Sequence, residues 1–262
     1  MKKIFLTNDD GWDAKGLKKL VEALRPIAQL IIVAPANEKS ASAHSMTLTR
    51  PMKLIGVDDD YYKMDDGTPT DCVFIGLNNL YGEDIRPDLV ISGINIGSNM
   101  GEDITYSGTV AGASEAVLQG VPGIAISQVF NDLNNTDKSA WEYELACKVI
   151  VDIVRKIFDG DFPLETRKLL NINIPPCNIN ECKGIKITNA GYREYGNDSH
   201  RYSSPRGEEV YWIGLHPLIW KKHETKSCDF EAVKDNYVSI TPVQLDMTSY
   251  NDIDKLKEWI NE

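Results

Sequence analysis

Ile4-Phe5-Leu6-Thr7 is a short apolar run that stops at Asn8-Asp9-Asp10-Gly11, and that stop limits what the chain can build. A run of this length ended by a turn signal reads as a buried strand of a parallel sheet. In open α/β sheets the ligand crevice lies just beyond the carboxyl ends of such strands, which puts Asp9 and Asp10 at its mouth. Neighbouring side chains of a regular strand face opposite ways, so the two carboxylates converge only where the strand has ended. Gly11 permits that break. Two carboxylates held together repel unless a cation lies between them, and hard oxygen donors favour Mg²⁺ or Mn²⁺. Taken alone, the same residues also read as a solvated turn with Asp10 capping the next helix.

Strand and helix patterns then alternate. Gly16 to Arg25 carries Leu17, Leu20, Val21 and Leu24 at helical spacing, and Leu30 to Val33 is a second buried strand closed by Ala34-Pro35. This strand–helix–strand unit is what a parallel crossover requires. The loop that follows, Asn37 to Ser45, is polar, holds three serines and leaves its strand on the same edge as Asp9. Lys53 to Val57 and Tyr61 to Met64 read as a hairpin whose tip, Asp58-Asp59-Asp60, is a solvated turn. A helix follows from about Thr70 to Leu80.

Asp88 to Ser92 is the next buried strand, opening into the glycine- and asparagine-rich Gly93 to Gly101. Such a backbone approaches something closely. Asn95 falls at the strand's carboxyl end, where it can add a neutral oxygen to a carboxylate site. Tyr106-Ser107-Gly108-Thr109 then starts a small-residue helix, Val110 to Leu118, and such a start is a ready phosphate cradle. No acid stands three residues beyond Ser107 or Thr109, which leaves first-turn amides for a ligand. Further on come a strand at Gly123–Ser127, a long amphipathic helix at Lys138–Phe158 and a strand at Lys168–Ile174. The remainder is β-like, at Gly184–Thr188, Glu209–Leu215 and Tyr237–Thr241.

The expected fold is therefore α/β: a Rossmann-like, mostly parallel sheet flanked by helices over residues 1–180, with a β-rich C-terminal extension over 181–262. The chain's 262 residues carry a formal charge of −11, which argues against nucleic acid as a stable partner. No run approaches the roughly 18 apolar residues of a membrane helix, and the N-terminal run is too short for a signal peptide. A cytoplasmic protein without a membrane partner is expected. Five scattered cysteines without C-x-x-C spacing, and four histidines without paired spacing, argue against disulfides and a zinc–thiolate site.

The motifs Leu6-Thr7-Asn8-Asp9-Asp10-Gly11, Val33-Ala34-Pro35, Glu38-Lys39-Ser40-Ala41-Ser42, Gly67 to Val73, Ser92 to Gly101 and Tyr106 to Val110 occur in this order. Together they resemble the SurE family, nucleotidases that remove phosphate from nucleoside monophosphates. The likeness is dense to about residue 130 and resumes at Asn171–Pro175 and Tyr237–Pro242. It implies a 5′- and 3′-nucleotidase using one divalent cation, Mg²⁺ or Mn²⁺, held by Asp9, Asp10, Ser40 and Asn95, with Asp9 and Asp10 catalytic. Asn99, Ser107, Gly108 and Thr109 match the family's phosphate surroundings. The likeness also implies a homodimer or homotetramer built by the C-terminal segment, with an arm at about Tyr192–Phe230. Relatives often carry a histidine after the last strand's Thr-Pro; here that stretch reads Pro242 to Ser249, which leaves Asp246 or water to protonate the leaving group. A nucleotide-binding regulator without catalysis would use the same site. The haloacid-dehalogenase-like D-x-D pattern fails, because Gly11 stands two residues after Asp9. A receiver-domain switch fails too, for want of an acceptor aspartate at a later strand end.

Overall fold

The computed structural model describes residues 1–82, 85–131, 142–196, 198–214, 219–221 and 227–261. The opening run is β1 (Lys3–Thr7), and α1 (Lys15–Leu24) returns the chain to β2 (Gln29–Pro35), which pairs parallel to β1. Then follow the antiparallel pair β3 (Lys53–Asp58) and β4 (Tyr61–Asp65), α2 (Pro69–Asn79) and β5 (Leu89–Ile96). After them come α3 (Asp103–Tyr106), α4 (Gly108–Leu118), β6 (Gly123–Gln128), α5 (Glu144–Asp159) and β7 (Lys168–Ile174). The described residues form a nine-stranded sheet in the order β3-β4-β2-β1-β5-β6-β7, then β13 (Val238–Gln244) and β8 (Ile185–Ile187). The strands β4 to β7 run parallel; β3 and β13 are antiparallel to their inner neighbours. The α/β expectation holds.

The period of two along β1 divides its side chains between two cores. Ile4 and Leu6 pack with Leu17, Leu20 and Leu24 of α1 and Val149, Ile150 and Val154 of α5. Phe5 points the other way, among Val33, Met64, Val73 and Leu77 of the α2 side. Helices thus cover both faces, and the strands read as continuous apolar runs because neither face meets water. The carboxyl ends of the central parallel strands are left as the open edge.

Several boundaries differ from the sequence reading, three of them around the site and its flanking helices. β5 does not open at Gly93 but continues to Ile96, because its pairing with β6 shifts register between Ser92 and Asn95 and then resumes. This irregularity carries Asn95 out to the strand's very end, and such register shifts re-aim side chains beside functional sites. α4 starts two residues early, at Gly108. α5 starts late, at Glu144; Tyr143 precedes it with φ −119° and packs edge-on against Phe130 at 5.6 Å. The stretch of the expected helix from Lys138 to residue 141, and Leu215 at the end of the expected strand, lie outside the described residues.

Beyond residue 180 the chain adds β8 and β13 to the main sheet and builds smaller pieces outside it. β9 (Tyr192–Glu194) pairs with β12 (Ile219–Lys221), and β10 (Asp198–Ser203) with β11 (Glu209–Gly214). α6 (Asp229–Lys234) packs on β13, and α7 (Ile253–Asn261) has no buried residue. No helix among the described residues is long and apolar enough to cross a membrane, and all five cysteines are free thiols.

Phe5 is fully buried, and the α2 backbone at Gly76 comes so close that a Cβ there would lie 2.3 Å from its ring. Phe5→Ala should therefore destabilise the protein by about 3–5 kcal/mol. Urea unfolding would show this as a lowered midpoint at unchanged slope; a loss below about 1 kcal/mol would contradict the packing.

Candidate active site

Asp9 lies two residues past the end of β1 and is 4% exposed. Its carboxylate is taken up by residues a hundred positions away. Thr109 donates its backbone N–H to Oδ2 at 3.1 Å and its hydroxyl to Oδ1 at 2.5 Å. Asp9 thereby supplies, from a distant strand, the acid that α4 lacks in its own first turn. Ser107 is the N-cap, accepting from the Val110 N–H at 3.0 Å. Of the first-turn amides that the sequence leaves for a ligand, those of Thr109 and Val110 are already engaged. Gly108 makes this approach possible. A Cβ there would sit 2.8 Å from the Ser42 hydroxyl oxygen and 2.9 Å from the Asp9 Cβ.

Asp10 turns to the neighbouring strand end, where Oδ2 accepts from the Ile96 N–H at 3.1 Å. Asn95, one residue before Ile96 and 8% exposed, donates its amide to the Gly97 carbonyl at 3.0 Å, which leaves its own carbonyl oxygen to face elsewhere. The serine loop is tied across the edge at four points. Lys39 N–H donates to the Asp9 carbonyl at 2.7 Å, and Ala43 N–H to that of Tyr106 at 3.0 Å. His44 Nε2 lies 3.0 Å from Glu115 Oε2 on α4, and Thr47 donates its N–H and hydroxyl to Asp71. Ser40 itself is exposed and donates to Glu38 Oε1 at 2.7 Å. The structure thus gathers Asp9, Asp10, Asn95 and the Ser107–Thr109 helix start, and leaves Ser40 at the rim.

Asn99 is locked inside the edge. Its N–H donates to Asn173 Oδ1 at 2.9 Å and its amide to Ser127 Oγ at 2.8 Å, while its carbonyl accepts from Asn171 and Asn173. Burial pushes the Asp9 carboxyl up, the Thr109 hydroxyl and amide pull it down, and nearby Glu38 raises it again. No cationic side chain is among the groups that act on it. A buried carboxylate, a second carboxylate next to it in sequence and an amide on the adjacent strand end make an oxygen donor set better suited to a hard divalent cation than to zinc or copper. The Asn8 Oδ1 and Ser42 Oγ atoms are buried with no partner among the described residues, so further oxygens there stand unengaged. The residues fit the cation that the sequence implies.

The family model described as Survival protein SurE matches residues 4–197. The 5′-nucleotidase SurE of Aliarcobacter butzleri is 61% identical over 100% of both chains. The one from Helicobacter hepaticus is 55% identical over 99% of each. The chain belongs to the SurE family. Among solved structures, the SurE protein of Aquifex aeolicus matches at TM-score 0.82 and 40% identity, over 99% of this chain and 100% of that one.

Against the family's motifs, sequence reasoning missed the residues that hold the site rather than form it. Thr109 was legible as a phosphate contact, yet its donors point to Asp9. Asn171 and Asn173 alternate within the otherwise apolar β7, and that pair of buried amides was the available signal. Ser42 and Glu38 belong to the Glu38–Ser42 motif of the family, which singles out neither of them for a role. Asp246 is turned away from proton donation: it accepts from the Tyr250 hydroxyl at 2.5 Å and the Thr248 N–H at 3.0 Å, and the Tyr250 bond pulls it below the usual carboxylate range.

Thr109→Val removes a hydroxyl donor from a buried carboxylate and should destabilise the fold by about 1.5–3 kcal/mol. Urea midpoints of parent and variant at neutral pH measure it; equal stability would show that the bond does not form in solution.

Proposed function

We propose that this protein is a metal-dependent nucleotidase that hydrolyses nucleoside 5′- and 3′-monophosphates to nucleoside and phosphate. The observation that carries the reading is the buried Asp9, fixed by Thr109 against the start of α4, with Asp10 held by the Ile96 N–H at the adjacent end of β5. The curated relatives' printed name, 5′-nucleotidase SurE, supports the same activity.

Asp9, Asp10 and Asn95 would hold one divalent cation, Mg²⁺ or Mn²⁺, with Ser40 joining once its hydroxyl leaves Glu38. When bound, that cation supplies charge neutralisation for the phosphoryl oxygens. The chain's own groups do the rest. The α4 N-terminus presents the positive end of the helix dipole to the phosphate at Ser107-Gly108. Ser42, whose hydroxyl has no partner among the described residues, offers a donor beside Gly108. Thr109 offsets part of the cost of burying the Asp9 carboxylate and fixes its orientation. A bond from water oxygen to phosphorus forms as the phosphorus–ester oxygen bond breaks, and an aspartate of the Asp9–Asp10 pair accepts the proton that the attacking water gives up. The leaving alkoxide takes its proton from solvent, since Asp246 is held elsewhere. Asn99 acts one layer back, by keeping the Gly97–Gly101 backbone in place.

The same reading makes the protein a cytoplasmic homodimer or homotetramer, and the C-terminal surface supports the assembly. Trp212 and Ile213 on β11 are 70% and 82% exposed, and on α7 Trp259 and Ile260 are 71% and 73% exposed. Apolar surface of this kind marks protein interfaces.

Phosphate release from a panel of nucleoside monophosphates should vanish with EDTA and return with Mg²⁺ or Mn²⁺. Asp9→Asn should lower turnover at least roughly a thousandfold, in the range seen when a central electrostatic group is removed, with its circular dichroism unchanged. Metal-independent release by the parent, or near-normal turnover by the variant, would refute the mechanism. A folded parent that releases no phosphate from any nucleotide would make this a nucleotide-binding site without catalysis. Light scattering giving a monomer mass would refute the assembly.

A further inference from the structure

Tyr106 stands one residue before the N-cap of α4, so its ring begins where the phosphate cradle ends. It is 57% exposed, although Ser107, Gly108 and Thr109 beside it are all buried. Its backbone is fixed, because its carbonyl accepts from Ala43 of the serine loop. Its ring is backed too. Tyr195 meets it edge-on, with centroids 5.9 Å apart and planes at 85°. Tyr195 is held in turn: its hydroxyl donates to Asp103 Oδ1 at 2.5 Å, and Asp103 Oδ2 pairs with Arg193 Nη2 at 3.0 Å. The Arg193 guanidinium lies 4.7 Å over the Phe230 ring, and Arg193 N–H donates to Glu102. A buttress running from α3 to α6 therefore braces one solvent-exposed aromatic ring at the lip of the site.

Surface tyrosines are common, but one clamped at its backbone and edge while a face stays open is pre-organised for a flat ligand. Every nucleobase has a π-face, and base–aromatic stacking needs no hydrogen-bond code. We propose that Tyr106 is the nucleobase platform of the site and that Tyr195 sets its orientation. The inference rests on the nucleotidase reading and deepens it: it assigns recognition of the base, where the reading above assigns only the phosphate. A phosphate monoester that lacks a base, such as ribose 5-phosphate, would then use the same cradle without touching Tyr106.

The test is a two-substrate comparison of AMP and ribose 5-phosphate on the parent, Tyr106→Ala, Tyr106→Trp and Tyr195→Phe, with calorimetric binding of both compounds alongside the kinetics. Tyr106→Ala should raise KM and weaken binding for AMP by roughly five- to a hundredfold, as loss of one stacked base does. It should leave ribose 5-phosphate within about twofold, and Tyr106→Trp should restore AMP. Tyr195→Phe, which keeps the ring and frees it from Asp103, should weaken AMP by less than the alanine variant and again spare ribose 5-phosphate. Equal losses on both compounds, or none on either, would overturn the platform. A parent that turns over neither compound would sink the nucleotidase reading instead, and the binding arm would still decide on Tyr106.

Discussion

The bond between Asp9 and Thr109 is the constraint on which the rest of the site depends. It joins the end of the first strand to the first turn of the fourth helix across a separation of 100 residues. A carboxylate this buried is costly in its charged form, and the helix start offsets that cost with two aimed donors and the positive end of its dipole. In return the helix receives the capping acid missing from its own sequence. Neither half is satisfied alone, which is why Gly108 must lack a side chain and why the approach is closer than any Cβ would allow.

Around this bond the molecule arranges buried polar groups, many of them paired, while Asn8 Oδ1, Ser42 Oγ and Asn171 Oδ1 have no partner among the described residues. Asn171 and Asn173 reach from β7 to Asn99 and hold the glycine-rich segment after β5, and Ser127 of β6 completes the set. Asp229, fully buried in α6, accepts from Gly101 and Gly191. Burial raises its carboxyl, while these backbone donors pull the other way. The chain beyond residue 180 therefore reaches the catalytic edge through the backbone of Gly101, and α6 helps to fix a loop read from the N-terminal half. Half-satisfied networks of this kind would be worse than an apolar core, so each partner constrains the next.

Much of the frame was legible because its signals are local. β1 and β7 declare themselves as continuous buried runs, and α1 through the 3–4 spacing of its apolar residues. The boundaries that shifted did so under tertiary influence. β5 runs past its glycine because β6 offers backbone partners beyond the register shift. β11 was legible as the β-like stretch from Glu209, whereas its partner β10 and the short pair β9–β12 have few buried side chains, so hardly any alternation marks them.

The sequence alone determined that two carboxylates end a buried strand, that an asparagine ends another, and that a hydroxyl-bearing helix start follows; the ordered motifs determined the family. Only the tertiary structure decided which of these groups meet. It gave Thr109 to Asp9, locked Asn99 inward, left Ser40 on Glu38 at the rim, and paired Asp246 with Tyr250. The physical reason is range. Periodicity and turn chemistry act over a few residues, whereas a hydrogen-bond partner for a buried charge is chosen by packing among groups a hundred residues apart.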